Sequence, residues 1–121
     1  MIDEFYNSDK WQRARKAVLR RDAYQDQYEK RFGKMRQAEL VHHIFPREKY
    51  PEYELELWNL ISLSKRSHNL MHDRNTDELT PVGIELLQRI AKKNNIPIPE
   101  EYQSAKEKKK TGRTPNWRGY Y

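Results

Sequence analysis

The four histidines of this 121-residue chain lie close together in the sequence, and this grouping constrains the fold more than any other feature. They form two pairs with one asparagine between the pairs: His42 and His43, then Asn59, then His68 and His72. The segment that holds them is short enough to fold back on itself, so both pairs can reach one place. The rest of the chain is then expected to act as a scaffold for that place.

Local patterns around the histidines predict a hairpin followed by a helix. The run ELVHHIF at residues 39–45 is rich in β-forming side chains and ends at Pro46, which favours a strand. A second apolar run, at residues 60–63, is suited to pair with the first across a long loop. Ser64 is a suitable N-cap for a helix over residues 65–74, in which histidines four positions apart share one face.

The spacing of the imidazoles allows a metal site. Successive strand residues point to opposite faces, so His42 and His43 serve one site only if the strand ends or bulges there. In that case His42 reaches a metal ion, and His43 lies over a substrate and deprotonates water, since the imidazole pKa is near neutrality. A hydrogen bond from Asn59 would fix the orientation of that base. The alternative is that these histidines are ordinary surface or core residues, because helical His pairs also occur without metals.

The first basic segment, residues 8–21, predicts an amphipathic helix with Ser8 as its N-cap. Trp11 belongs to its apolar stripe and is interpreted as a core anchor rather than a base-stacking residue. Residues 22–38 have no clean period and are interpreted as irregular, with a turn at Gly33. The apolar stripe of the predicted helix over residues 8–21 consists of Trp11, Ala14, Val18 and Leu19.

A last helix is predicted from Pro81 to about residue 94 or 95. Thr80 followed by Pro81 is a common cap and first helical position. The prolines at 97 and 99 end regular structure, and the basic end of the chain is expected to be a flexible tail. This layout divides the chain into one domain over residues 1–96 and a tail over residues 97–121. The helix predicted from Pro81 has a broad apolar face that consists of Val82, Leu86, Leu87 and Ile90.

The positive charge is concentrated at the two ends. The net charge is +6 and the pI is near 9.5, while residues 8–21 and 106–121 each carry six basic side chains and one acidic side chain, or +5. A polyanion would meet these ends first, although composition alone also fits charges that only maintain solubility. The side chains expected to contact DNA phosphates are Arg13, Lys16, Arg20, Lys65 and Arg66.

Several classes of protein are disfavoured by the composition. The chain has no cysteine, which rules out disulfides and thiolate metal sites. Mean hydropathy is −1.21, no apolar run approaches the length of a membrane span, and the first ten residues do not resemble a signal peptide. A soluble, cytoplasmic protein is therefore expected.

Three motifs in this order resemble the signature of HNH endonucleases. They are VHHI at 41–44, LWNLISL at 57–63 and SHNLMH at 67–72. The opening FYNSDKWQRARKAVLRRDAY, at 5–24, is similar to the N-terminal helix of the small phage-type members. The resemblance implies an α+β fold with a ββα-metal core between an N-terminal and a C-terminal helix.

The resemblance also assigns roles to the histidines and to the asparagine. It places His43 as the general base and Asn59 as the middle asparagine of the signature. His68 is the final metal-binding histidine, and His42 takes the preceding ligand position, which is often aspartate in the family. His72 is a further metal candidate on this reading, together with the neighbouring Asn69.

The function implied by the resemblance is hydrolysis of DNA phosphodiester bonds with one divalent ion, Mg²⁺, Mn²⁺ or Ni²⁺. Without a carboxylate at position 42 the ligand set is softer than usual, which favours Mn²⁺ or Ni²⁺ over Mg²⁺. Small phage-type members often act with the packaging machinery, so a terminase is a possible partner. If the gene is phage-encoded, the expected location is the cytoplasm of the bacterial host. The alternative function is a non-catalytic DNA-binding or packaging-associated protein that uses the basic helix and the tail.

One family feature is missing from the sequence. Many small HNH proteins hold the core with a zinc ion bound by two C-x-x-C pairs, whereas serine is a poor zinc ligand. No structural zinc is therefore expected, and packing of the flanking helices with Tyr24, Phe32 and Trp58 is expected to replace it. The positions that match the cysteines are Asp26, Glu29, Ser64 and Ser67.

Overall fold

The fold is a small α+β body built on one antiparallel hairpin. The structure is a computed structural model and describes residues 4–103. The strands are β1 (Leu40–His43) and β2 (Leu60–Leu63), and they pair from Leu40 opposite Leu63 to His43 opposite Leu60. The helices of the described part are α1 (Glu4–Asn7), α2 (Asp9–Arg21), α3 (Gln27–Lys30), α4 (Lys65–Asn69) and α5 (Pro81–Lys93).

The predicted hairpin is confirmed, and its first strand is shorter than residues 39–45. The strand stops at His43 because the next two amides bond to one residue that lies before β2. The Ile44 amide donates to the Asn59 carbonyl at 2.8 Å, and the Phe45 amide donates to the Asn59 side chain at 2.7 Å. The loop that follows contains two short 3-10 turns, Pro51–Tyr53 and Leu57–Asn59.

The predicted N-terminal helix is confirmed as α2. The Ser8 hydroxyl accepts a hydrogen bond from the Trp11 amide, as expected for an N-cap. Trp11 is 5% exposed and packs with Val18 against Leu60 of β2, so its interpretation as a core anchor is confirmed. The short helix α1 was not predicted, and its aromatic side chains pack against Trp11.

Residues 22–38 contain more order than the sequence indicates. Gly33 has a φ of +77°, which confirms the turn, and the residues before it form helix α3. Asp26 is the N-cap of α3, since its side chain accepts from the amides of Tyr28 and Glu29. An isolated bridge between Gln25 and Gln37 closes the base of this segment.

Asp26 also joins this segment to β2 and α4, and this corrects the expectation of aromatic packing in place of zinc. The fully buried carboxylate accepts from both the amide and the hydroxyl of Ser64, which in turn caps α4. Tyr24 is 49% exposed and Phe32 is 59% exposed, so neither can supply the expected packing. Trp58 does pack against the main core. The positions matched to the cysteines are therefore close together, and hydrogen bonds hold them.

Helix α4 is shorter than predicted. The sequence favours a helix over residues 65–74, but it ends at Asn69. Met71 is fully buried, and its carbonyl accepts from the Thr80 amide at 2.9 Å. This long-range hydrogen bond takes the chain away from the helix path, so His72 lies beyond α4 and forms an isolated bridge with Leu79.

Helix α5 closes the main core, as predicted. The Thr80 hydroxyl accepts from the Gly83 amide, and Asn94 is the C-cap. Leu86 and Leu87 are fully buried together with Phe45, Leu63 and Met71. No helix in the described part of the chain is both long enough and apolar enough to cross a membrane.

The packed body continues past residue 96, where the sequence suggests a boundary. Tyr102 is 5% exposed and belongs to the main core, and its carbonyl accepts from the Gln88 side chain. The division into a domain and a tail stays a prediction. Residues 104–121 of the expected flexible tail lie outside the described residues.

Candidate metal centre

Three histidines from different parts of the chain meet at one point. His42 comes from β1, His68 from α4, and His72 from the segment after α4. The ring centroids lie 5.2 to 5.3 Å apart in all three pairs. One ring nitrogen from each residue lies within 4.8 Å of the other two. This is a donor set that suits a transition-metal ion.

The buried environment of His42 fits a metal ligand. Its side chain is 2% exposed, and its Nε2 atom has no hydrogen-bond partner within the described residues. Burial lowers the pKa of His42 well below the usual value, with further lowering by His68 and His72. Burial, then the charge of His72, also lowers the pKa of His68. Both rings are thus neutral at pH 7, the state in which imidazole binds a metal.

The turn after His72 fixes the orientation of its ring. The His72 Nδ1 atom lies 3.3 Å from the Asp77 carbonyl oxygen. Since a carbonyl oxygen only accepts, Nδ1 carries the proton and Nε2 keeps its lone pair. The Asp73 amide closes the turn by donating to the Glu78 carbonyl at 2.7 Å. This contact orients the third imidazole through its second nitrogen.

His43 lies in a different environment from its neighbour His42. Its Nε2 atom is 3.0 Å from the Glu54 carbonyl oxygen, and its ring stacks on Trp11 with centroids 5.1 Å apart. The carbonyl acceptor places the proton on Nε2 and leaves the Nδ1 lone pair available. Burial lowers the pKa of His43, against the opposing effect of the Glu54 hydrogen bond. His43 is therefore an oriented base outside the three-imidazole cluster.

Asn59 acts on the loop that carries the partner of His43. The three hydrogen bonds described for its fully buried side chain reach the Phe45 amide, the Phe45 carbonyl and the Tyr53 carbonyl. The Tyr53 carbonyl directly precedes Glu54, whose carbonyl bonds to His43. The expected direct contact between Asn59 and the base is therefore replaced by a contact through the backbone.

One cleft contains both the cluster and the base. Its volume is about 590 Å³, and His42, His43, His68 and His72 all line it. The cleft is open at the surface and also has polar side chains from the loop after β1 and from the turn after His72. The cluster and His43 therefore face the same open space.

Comparisons with protein families, curated proteins and solved structures give a match to a solved structure. No protein-family model matches the chain, and no curated protein matches its sequence. The match is a crystal structure of the HNH endonuclease of the deep-sea thermophilic bacteriophage GVE2, solved with a manganese ion. Its sequence is 38% identical to that of this chain. It superposes with a TM-score of 0.53 over 54% of this chain and 71% of the other. The chain belongs to the HNH endonuclease family. Its two-stranded sheet and flanking helices form the ββα-metal fold.

This HNH endonuclease brings together most of the residues that the sequence singled out. The three histidines predicted as ligands form the cluster, and His43 lines the same cleft. Asn69 is exposed and lies outside the lining of the cleft. The five basic residues predicted to contact DNA are all exposed, and none of them lines the cleft. They are Arg13, Lys16, Arg20, Lys65 and Arg66.

Sequence reasoning missed the HNH site residues that act through the backbone or through packing. Glu54 and Asp77 orient the two histidines with their carbonyl oxygens, which no side-chain pattern reveals. Phe5 and Tyr6 pack beside His43, with ring centroids 5.9 and 6.3 Å from it. The adjacent aromatic pair ahead of the Ser8 cap was the one available signal.

Proposed function

We propose that the chain is a divalent-metal-dependent endonuclease that hydrolyses DNA phosphodiester bonds. The observation that carries the proposal is the cleft, in which three imidazoles converge beside His43, a separately oriented imidazole. Membership of the HNH endonuclease family supports the same activity. A neutral ligand set next to a base is an arrangement used for metal-assisted hydrolysis.

The proposed ligands of the ion are His42, His68 and His72. The unpartnered Nε2 atom of buried His42 and the Asp77-oriented ring of His72 support this assignment. A bound divalent ion would stabilise the negative charge that develops on the scissile phosphate and on the departing 3′ oxygen. The relative from phage GVE2 was solved with manganese, which supports a divalent ion in this cleft.

His43 is the proposed general base. Its Nε2–H donates to the Glu54 carbonyl, so Nδ1 accepts the proton of the attacking water. The stack on Trp11 limits rotation of the ring. Asn59 is a positioning residue in this proposal, because it holds the loop that supplies the carbonyl.

A plasmid-nicking assay tests the proposal. Supercoiled DNA is incubated with the full chain in Mg²⁺, Mn²⁺, Ni²⁺ or EDTA, beside the His43→Ala variant. Cleavage that requires a divalent ion and is lost in the variant is expected. Binding without cleavage in every ion would replace the proposal with the non-catalytic DNA-binding function, and no binding at low salt would exclude both.

The proposed metal preference is Mn²⁺ or Ni²⁺ over Mg²⁺. Three imidazoles form a softer ligand set than carboxylates, and Mg²⁺ prefers oxygen ligands. Initial nicking rates are compared at equal free ion concentrations. A rate in Mg²⁺ equal to or above the other two would contradict this preference.

We also propose that the fold requires no structural zinc, because Asp26 and Ser64 hold the segments that zinc joins in many relatives. Elemental analysis of the His42→Ala variant, purified without added metal, tests this without interference from the histidine cluster. Zinc bound at one equivalent in that variant would contradict the proposal.

The biological setting that we propose is phage DNA packaging or processing with a terminase as partner. The phage origin of the similar structure supports it. Co-purification of the chain with a phage terminase large subunit, and faster cleavage in the mixture, are the expected results. Unchanged cleavage and separate elution would rule the partner out.

The proposed domain division gives the basic tail a role in DNA affinity. Residues 106–121 carry a charge of +5, which attracts a polyanion. A chain that ends after residue 103 should keep metal-dependent cleavage and bind DNA with a weaker dependence on salt. The same salt dependence with and without the tail would contradict this role.

A further inference from the structure

Arg47 lies in the cleft next to the proposed base. It comes four positions after His43, on the loop that follows β1, and its side chain is 25% exposed. Its guanidinium carbon stands 4.1 Å from the ring centroid of Phe5 and 5.2 Å from that of Tyr6. Its Nε atom donates to Glu54 Oε1 at 3.1 Å. These contacts hold a long, flexible side chain in one orientation.

Glu54 links Arg47 to His43. Its carboxylate accepts from the guanidinium, while its carbonyl accepts from the imidazole. The Phe5 ring contacts both groups, since its centroid is also 5.9 Å from that of His43. The Arg47 charge is near enough to help lower the pKa of His43, after the larger effects of burial and of the Glu54 hydrogen bond. The guanidinium and the proposed base therefore form one fixed unit.

The chemistry of this unit suits a phosphate group. A guanidinium is planar, keeps its charge at any working pH, and offers donors in a fork that matches phosphate oxygens. Arg47 and Lys49 are the two lysine or arginine side chains that line the cleft within residues 4–103, and each is ion-paired with a glutamate at 3.1 Å. Of the two, Arg47 is the one whose glutamate also contacts His43.

We infer that Arg47 is a phosphate-binding residue that holds the DNA backbone next to the scissile bond in this cleft. The inference rests on the proposed function, since it assumes a DNA substrate. In it, Phe5 and Tyr6 are positioning residues that keep the guanidinium oriented. In this inference helix α1, which the sequence did not predict, forms part of the site, because it carries Phe5 and Tyr6.

The chain contains a matched control arginine. Arg31 has its guanidinium 5.2 Å from the Phe32 ring centroid and is ion-paired with Glu85 at 3.1 Å. Its side chain is 32% exposed, close to the value for Arg47, and it does not line the cleft. Replacement of either arginine removes a charge, stacking on an aromatic ring and an ion pair with a glutamate. A difference in DNA binding between the two variants is then due to the position of Arg47 in the cleft.

The first experiment measures binding alone, so it does not depend on cleavage. In the His43→Ala background, the affinity for a fluorescent DNA duplex is measured by anisotropy over a range of salt concentrations. Arg47→Ala should weaken binding and reduce the slope of log affinity against log salt by about 0.9, the loss of one phosphate contact. Arg31→Ala should leave both nearly unchanged. Equal effects of the two variants would overturn the inference.

The second experiment measures single-turnover cleavage in Mn²⁺ with Arg47→Lys, which keeps the charge and is expected to fold. It should lose about tenfold or more in rate, because lysine lacks the planar fork. Phe5→Leu should also slow the reaction, and Phe5→Tyr should restore it. Wild-type rates in Arg47→Lys would overturn the inference. If the wild-type chain is inactive, the proposed function is wrong. The binding experiment then tests by itself whether Arg47 binds phosphate.

Discussion

At the scale of single residues, buried polar side chains at this site act mainly on the backbone. Asn59 is completely buried, and its hydrogen bonds connect β2 to the loop after β1. That loop carries the Glu54 carbonyl, which orients His43. A polar side chain in the core thus fixes the position of a base that lines the cleft. Its loss leaves several buried backbone groups without a partner.

We expect Asn59→Ala to lower the free energy of unfolding by about 3 kcal/mol, because buried backbone groups lose their hydrogen bonds. Urea denaturation followed by circular dichroism measures the change. Asn94→Ala is the matched control, since that side chain donates one exposed hydrogen bond, to the Ile90 carbonyl. A similar loss in both variants would show that the loop contacts carry no special weight.

At the scale of elements, two close contacts join the parts of the fold. Asp26 ties α3 to β2 and α4 through Ser64. Gly83 lets α5 lie against the segment that leads to His72, since a Cβ atom added there would be 2.5 Å from the Met71 carbonyl oxygen. The first contact is electrostatic and the second is steric. Each has its own experimental signature.

The Asp26 contact predicts a stability that falls in acid. Burial alone would raise the pKa of Asp26. Hydrogen bonds from Ser64 and from backbone amides have a larger combined effect in the opposite direction, so the pKa lies below the usual value. A carboxyl whose pKa is lowered by folding stabilises the native state above its unfolded pKa, about 3.9. This stability is lost as the pH falls through the lower folded pKa.

Urea midpoints at pH 5 and pH 3 should therefore differ more in the wild type than in Asp26→Asn. The variant should also be less stable at pH 7. Glu52→Gln, on an exposed turn, controls for simple removal of a negative charge. Equal pH dependence in Asp26→Asn and the wild type would count against this role of Asp26.

The Gly83 contact predicts an unusual response to alanine. Glycine to alanine within a helix usually stabilises by about 1 kcal/mol, but at Gly83 the methyl group meets backbone that cannot move freely. Gly83→Ala should instead cost about 2 kcal/mol and lower the melting temperature. Gly33→Ala is a useful comparison because it meets no atom within 4 Å and is strained only by its φ of +77°. A more stable Gly83→Ala variant would contradict the close contact.

At the scale of the whole molecule, the chain depends on connections across its small sheet. A two-stranded hairpin is barely stable alone in water, so helices must cover it. The proposed metal ligands come from β1, from α4 and from the turn before α5. An ion bound there would add a connection between three separate segments of the chain.

Addition of Mn²⁺ should therefore raise the melting temperature by mass action. An ion at a hundred times its dissociation constant stabilises a native state by about 2.7 kcal/mol. The increase should persist in His43→Ala and disappear in His42→Ala, as measured by scanning calorimetry with and without EDTA. The same increase in both variants would show that the ion binds elsewhere.

The sequence predicted those parts of the molecule that depend on local rules. The caps Ser8, Ser64 and Thr80 each begin a helix as expected, because an N-cap acts within three residues. The predicted end of α4 was wrong because the Met71 carbonyl bonds to Thr80. The expectation that Tyr24 and Phe32 pack in place of zinc was wrong because Asp26 instead bonds to a residue 38 positions away. Contacts at such separations leave no periodic pattern in a single sequence.

The Glu54 carbonyl has a consequence for how this gene can change. Every amino acid provides a backbone carbonyl, so substitution at position 54 removes the contact to Arg47 but keeps an acceptor for His43. A single-residue insertion or deletion between Pro46 and Glu54 would instead shift that acceptor away. The length of this loop is therefore under stronger constraint than its composition, and reading-frame-preserving length variants should be the rarest survivors of a random mutagenesis screen for active enzyme.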